Sequence, residues 1–565
     1  MNTLALPANL GPDWDELLES WRDAASVRRL WAKDPSVWTG ADEGQWLAWL
    51  DIVTPQLGQA GALHAFAKEV REAGLDSVLL LGMGGSSLCP ETLSLVFGLD
   101  SLHVLDSTDP AQLLALEENL DLTKTLFIVA SKSGSTLEPE IMRSYFFDRA
   151  GKAIGAAPGD RFVAITDPGS HLEEVARRDG YRKIFYGVPA IGGRYSALSN
   201  FGMVPGAAAG LEIERVLTAA DEMARACRRD DPANNPGVLL GLALGTLARQ
   251  GRDKLTFIAS DGLLPLGAWL EQLIAESTGK IGKAIIPVDL ETPGPPESYG
   301  DDRVFAVLQL GEDLPHAAEV AALEAAGHPV AKIKLADAFQ IGAEFFRWEI
   351  ATAVAGAVLG IHPFNQPDVQ ASKDVAKKLT NAYEETGRLA SEYPFYSDAD
   401  VELYADDFNA ALLTARAGGA DSLESLLAAH LDSLQPGRYF GLLAYVEMSP
   451  AHVETLQRAR HAVRDGRRAA TCLGFGPRFL HSTGQAYKGG PNSGVFLQVT
   501  CDDARDAPVP GKSYTFGVVK AAQARGDFAV LVERRRRALR VHLKGNVAKG
   551  LERLGQALAA AAPKA

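Results

Sequence analysis

Through the first two thirds of the chain, short apolar runs alternate with stretches of helical spacing. Positions 78–81, 103–105, 126–130, 162–166 and 184–186 form one set of runs, and 255–259, 304–308 and 330–333 form a second. They are apolar, rich in branched residues and followed within a few positions by Gly, Asp, Ser or Pro, so they read as strands buried on both faces. Helical patterns lie between them; Leu63, Phe66, Val70 and Ala73 fall at spacings of three and four, with Gly74 placed as a C-cap. Strand–helix alternation of this kind predicts parallel sheets joined by right-handed crossovers.

The pattern occurs twice, on either side of a long helical stretch beginning near Leu211. The fold class expected is α/β: a helical segment at 1–50, two αβα sandwiches with parallel sheets at 51–210 and 211–390, and a smaller C-terminal α/β unit at 391–565. In the last region, 383–424 reads as acidic and loop-rich, and strands are expected at 439–446, 495–500 and 528–532. The Ala-rich C-terminus is expected to fray.

Composition narrows the classes. A chain of 565 residues with 47% apolar and 22% charged residues is globular and long enough for several domains. Its net charge of −15 argues against broad binding to nucleic acid or anionic membrane, though not against an anionic small ligand in a local pocket. The four cysteines form no Cys-x-x-Cys pair, which excludes a disulfide framework or zinc knuckle, and Cys227 falls on an apolar helical stripe as a core residue. The N-terminus lacks a signal-peptide pattern, and the longest apolar run, after Pro236, is too short to span a bilayer; a cytoplasmic protein is expected. Glu533 followed by four arginines reads, without interleaved aromatics, as a solvated edge or a subunit contact.

Four segments carry candidate chemistry. Gly82-Met83-Gly84-Gly85-Ser86-Ser87 follows a strand, where glycines let backbone N–H groups approach an anion; a plain strand–helix turn fits as well, and the absent Gly-Lys-Ser/Thr ending argues against a nucleotide P-loop. Ser131-Lys132-Ser133-Gly134-Ser135-Thr136 holds four hydroxyls in six residues, more than an N-cap needs, and reads as a phosphate site. Gly192-Gly193-Arg194 either exposes a surface arginine or offers a fixed cation to an oxyanion. In QLIAESTGK, Gln272 and Glu276 share a helical stripe away from the buried face set by Leu266, Trp269, Leu270 and Leu273. A carboxylate at the helix C-terminus meets the negative dipole end, which suits a general base; a solvated glutamate is the alternative.

In this order GMGGSSL, SKSGSTLEP, GGRYSALSNFG and QLIAESTGK resemble the signature segments of the phosphoglucose isomerases, which have the sugar-isomerase fold. Phe364, Gln366, Val369 and Lys373 match that family's Phe-x-Gln-x-x-Val-x-x-x-Lys block. ESTGK, YGDDR, GIHPFNQPDV and FLHSTGQAYKGGP look most like the isomerase half of bacterial transaldolase/phosphoglucose isomerase fusions. Only about 50 residues precede the first sandwich and a barrel needs roughly 250, so transaldolase activity is not expected.

The resemblance implies an aldose–ketose isomerase that interconverts glucose 6-phosphate and fructose 6-phosphate through a cis-enediolate. It assigns Glu276 as the base that moves a proton between C2 and C1, Arg194 as the cation at the enediolate, and Lys373 as the lysine near the ring oxygen and phosphate end. Substrate contacts fall to Gly85, Ser86, Ser131, Lys132, Ser133, Thr136, Gly193, Gln272 and Gln366. This chemistry needs no metal and no redox cofactor, and none is expected; the sequence has neither a His-Glu-x-x-His cluster nor a Gly-x-Gly-x-x-Gly with a partner acid. The family opens the sugar ring with a histidine, usually from the neighbouring subunit, which implies a homodimer. His362 and His481 are the candidates for that role, each with a structural alternative. A non-catalytic sugar-phosphate sensor, or an isomerase of mannose 6-phosphate or an amino sugar, are the other readings.

Overall fold

The computed structural model describes residues 3–7, 10–419 and 422–562, and its strands form three sheets. The first is parallel throughout, in the order Leu102–Leu105, Ser77–Gly82, Thr125–Ala130, Phe162–Thr166, Lys183–Tyr186. Alternation along each strand decides which helix it meets. Val78 and Leu80 join the core of the helix Val53–Glu72 through Leu63 and Phe66, while Leu79 and Leu81 pack with Ile141 and Met142 of the helix Leu137–Ile154. The chain leaves Ser77–Gly82 toward one edge and returns to Thr125–Ala130 on its other side. The loops after these two neighbouring strands therefore flank the point where strand order reverses, the usual crevice for a ligand in an open α/β sheet.

The second sheet runs Thr3–Ala5, Val330–Leu335, Arg303–Leu310, Lys254–Ala259, Ile286–Val288. Thr3–Ala5 is antiparallel and the rest are parallel. The sequence reading missed the two short edge strands, each three residues long. One apolar core extends from Leu10 to Phe364, with Cys227 fully buried in it, and joins the helices Ile213–Ala226, Pro236–Arg249 and Ile341–Leu359 to both sheets.

The third sheet has six strands in the order Tyr396–Ser397, Val401–Tyr404, Arg537–Leu543, Gly494–Cys501, Tyr439–Tyr445, Ala470–Phe475. Three expectations are corrected here. The run 528–532 is not a strand but the end of the helix Phe516–Glu533, whose Val519, Ala522, Asp527 and Leu531 are all buried; a short apolar run looks the same in a helix covered on most sides. The region 383–424 contains the helix Asp407–Arg416, capped by the Asp406 carboxylate, and the start of Leu423–Leu431. The C-terminus does not fray through 562: Asn546 caps the helix Val547–Ala561, and Leu551, Leu554, Leu558 and Ala561 are buried in the core with Leu456 and Val463. Residues 563–565 lie outside the described residues. Among the described residues no helix is long and apolar enough to cross a membrane.

Candidate active site

At the strand-order reversal the two glycine-bearing loops approach backbone to backbone. A Cβ on Gly85 would lie 2.0 Å from the carbonyl oxygen of Gly193, so this contact admits only glycine. Between them and the serine loop lies a cavity of about 390 Å³. Of the residues expected to bind substrate, Gly85, Ser86, Ser131, Lys132, Ser133, Thr136, Gly193 and Gln366 line it.

The serine loop leads into the 18-residue helix Leu137–Ile154, yet no side chain of the loop caps that helix. Its hydroxyls instead bond within the loop: Gly134 N donates to Ser131 Oγ at 3.2 Å, and the Ser133 and Ser135 hydroxyls lie 2.9 Å apart. The capping alternative is thereby excluded. The positive dipole end of a long helix, beside hydroxyls, makes a cradle for an anion. Gly134 takes φ +69°, and a Cβ there would lie 2.2 Å from Leu172 N. Lys132 is less available than the sequence suggests, since its ammonium lies 2.8 Å from Asp167 and also donates to the Val188 carbonyl.

Arg194 is buried and fully engaged. Its Nε donates to Ser277 Oγ at 2.8 Å, Nη2 to the carbonyls of Pro363 and Asn365, and Nη1 to Gln366 Oε1 at 3.1 Å. The same Nη1 lies 3.2 Å from Glu276 Oε1, and Gln272 Nε2 donates to Glu276 Oε2 at 3.1 Å. Glu276 sits in the last turn of the helix Leu266–Thr278 with its side chain 13% exposed, so the solvated alternative fails. The dipole argument made from the sequence omitted the guanidinium that faces this carboxylate.

His481 also lines the cavity. It ends a short turn of helix, Arg478–His481, between two elements of the third sheet region, and its Nε2 lies 2.9 Å from Glu138 Oε1. Gln523 Nε2 donates to the same oxygen at 2.7 Å, and Thr108 Oγ1 donates to Gln523 Oε1. Burial pushes the Glu138 carboxyl up, but the His481 charge and hydrogen bond outweigh it, and the carboxyl is held down to about 2. Arg478 fixes the turn to the first sandwich through Glu91 and Asp106, the latter at 3.2 Å. Sequence reasoning missed Glu138, Gln523 and Arg478. Glu138 stands inside the SKSGSTLEP segment, whose acidic member was a signal available to read.

Five expected residues do not line the cavity: Arg194 and Gln272 reach its wall only through their bonds to Gln366 and His481, with Glu276 held between them, and Lys373 and His362 stand farther off. Lys373, on the helix Val369–Thr386, is exposed, although its charge helps to hold Glu138 down. His362 spends both ring nitrogens on structure: Nε2 lies 2.7 Å from Asp42, and Nδ1 accepts from Phe364 N.

The family model "Phosphoglucose isomerase" matches residues 65–295. The glucose-6-phosphate isomerase of Trichormus variabilis is 32% identical over 262 residues, covering 42% of this chain and 48% of that protein, so the chain spans about half the length of this relative. The glucose-6-phosphate isomerase of Rubrobacter xylanophilus is 31% identical over 367 residues, covering 55% of this chain and 83% of that protein. The crystal structure of a glucose-6-phosphate isomerase from Chlamydia trachomatis aligns with a TM-score of 0.56 at 20% identity, over 68% of this chain and 89% of that one, a likeness of fold.

Proposed function

Because the chain belongs to the phosphoglucose isomerase family, we propose that it interconverts glucose 6-phosphate and fructose 6-phosphate. The observation that carries this reading is the placement of Glu276: shielded from water and held at both oxygens by Arg194 and Gln272, which bond in turn to Gln366 and His481 in the wall of the cavity that the serine loop also lines.

In this reading the sugar phosphate is held by Ser86, Ser131, Ser133, Thr136 and the N-terminal amides of the helix Leu137–Ile154. His481, oriented through Nε2 by Glu138, passes a proton at the ring oxygen to open the pyranose. Glu276 then takes the C2 proton and returns it to C1. Arg194, next to Glu276, supports the negative charge that develops on the enediolate oxygens, and its fixed planar fork costs no reorganisation at that moment.

A cytoplasmic setting and a homodimer belong to the same proposal. In this reading His481 comes from the same chain as the cradle, and the homodimer rests on the family resemblance alone. The test is a coupled assay on purified, chelator-treated protein with both sugars, alongside Glu276→Gln. Turnover that falls by roughly 10²–10⁴-fold in the variant is expected for loss of a general base. Absence of turnover in the parent protein, or an unchanged rate in Glu276→Gln, overturns the reading.

A further inference from the structure

The arginine run near the C-terminus is neither a solvated edge nor uniformly exposed. Arg534 turns toward Asp368, while Arg535, Arg536 and Arg537 converge with Arg416 and Arg438 on a second cavity, of about 610 Å³. This cavity lies at the end of the third sheet where the strands Tyr439–Tyr445 and Arg537–Leu543 begin, far in sequence from every loop of the candidate active site.

None of the guanidinium groups at this cavity has a carboxylate within ion-pair distance among the described residues; the carboxylate whose charge reaches Arg536 is Asp368, which Arg534 already pairs. Arg416 donates to Ser433 Oγ at 3.1 Å, Arg438 to the Ser433 carbonyl at 2.6 Å, and Arg537 to the Asn492 carbonyl at 3.0 Å. Arg536 donates through Nη2 to the carbonyls of Lys488 and Gly490. All of these acceptors are neutral. Arg536 is only 6% exposed and its Nε has no partner. Among the described residues lining the cavity Asp406 is the one carboxylate, and it is occupied in capping a helix through Phe408 N and Asn409 N. Burial, followed by the charges of Arg438, Arg536 and Arg416, pushes the Arg537 guanidinium below its ordinary value. Like charges gathered without counter-ions repel, and an arrangement that persists against that repulsion suits an anionic ligand.

The shape restricts that ligand. A concave site in a chain of net charge −15 fits a compact polyanion rather than an extended nucleic acid. Five guanidinium groups exceed what a single phosphate monoester can occupy. Phe408, 75% exposed, with Leu412 and Val532 gives the cavity an apolar side against which a ring could lie.

We propose that this cavity is a binding site for an oligophosphate, with its charged chain among Arg416, Arg438, Arg535, Arg536 and Arg537 and any attached ring against Phe408. Isothermal titration of the full chain with inorganic tripolyphosphate and with ATP, at about 0.1 M salt so that diffuse attraction is screened, separates the two sources. Saturable one-to-one binding of at least one probe is expected. Arg416→Ala with Arg438→Ala should weaken it by about tenfold or more. Phe408→Ala should weaken ATP alone if the ring contributes, and leave both unchanged if the ligand is inorganic. Arg416 is exposed at a helix end, so Arg416→Gln by itself carries the test should the double variant melt early. No saturable binding of either probe up to about 1 mM, or binding that the double variant leaves intact, overturns the proposal.

Discussion

His481 Nε2 lies 2.9 Å from Glu138 Oε1, although 343 positions separate the two residues. The contact ties a turn of the third sheet region to the first turn of the helix that follows the serine loop. With Glu138 held down to about 2, its carboxylate is charged at neutral pH and fixes the imidazole by one nitrogen. A second donor, Gln523, bonds the same Glu138 oxygen, so the ring is positioned by a buried network rather than by a single contact.

His481→Asn removes the group proposed to open the ring but leaves the cradle intact. The expected result is a kcat for glucose 6-phosphate lower by roughly 10²-fold or more with KM little changed. Glu138→Gln keeps a hydrogen-bonding partner without the charge, and should reproduce part of that loss. Steady-state kinetics of both variants check this. A His481→Asn enzyme as fast as its parent would remove His481 from the mechanism.

Arg478 acts at one remove. Its guanidinium joins the turn bearing His481 to Glu91 and to Asp106, whose side chain is 2% exposed. Removing it leaves buried carboxylate unpaired, a change that costs about 3–5 kcal/mol in well-buried cases. Arg478→Ala is therefore expected to lower the melting temperature and to lower kcat in the same direction as His481→Asn. Arg478→Lys should restore part of the stability, but less of the rate, because one ammonium cannot span both carboxylates. Thermal melts and kinetics on the two variants separate positioning from bulk stability.

Local pattern made some of this legible and left the rest hidden. The runs at 78–81 and 126–130 were readable because strands buried on both faces must be apolar at consecutive positions. Gln272 and Glu276 were readable as a pair because four residues make about one helical turn, and the structure joins them by a hydrogen bond, but Gln272 is itself buried rather than set away from the buried face. The His481–Glu138 pair was not readable, since its partners lie on separate layers and neither has a periodic signature. The strand at 528–532 was misread because a helix enclosed by a sheet and the helix Val369–Thr386 loses its polar stripe. The arginine run read as a solvated edge or a subunit contact because Arg416 and Arg438, which complete its cavity, arrive from other elements.

Gly134 tests the cradle without touching a charge. Its φ of +69° strains any residue with a Cβ, and that Cβ would lie 2.2 Å from the Leu172 backbone nitrogen. Gly134→Ala must displace the serine loop or the start of the helix His171–Arg178. We expect KM for both sugar phosphates to rise by about tenfold or more, with a smaller change in kcat, because the loop is proposed to hold the phosphate rather than the reacting carbons. Michaelis–Menten analysis checks it; a KM equal to that of the parent would mean that the phosphate is held elsewhere.

The third sheet region carries its own pH response. His430, 3% exposed, lies with Nε2 3.1 Å from the Phe496 carbonyl. Burial first, and the charge of Arg416 in addition, push its imidazole down to about 4 against the opposing effect of that hydrogen bond. The unfolded chain takes up the proton near 6.5, whereas the folded chain resists until about 4, so acidification favours unfolding between these values. The stability associated with a neutral His430 is complete above about 6.5 and is lost progressively as pH falls toward 4, by up to roughly 3 kcal/mol. His461, also pushed down to about 4 by burial and by Arg460 and Arg464, gives a slope of the same sign, so the comparison has to be made against a variant. His430→Gln keeps a donor for the Phe496 carbonyl and does not titrate. Urea unfolding of both proteins at pH 7, 5.5 and 4 should show the parent losing more stability than the variant. Equal losses at every pH would show that His430 takes up its proton without unfolding the region.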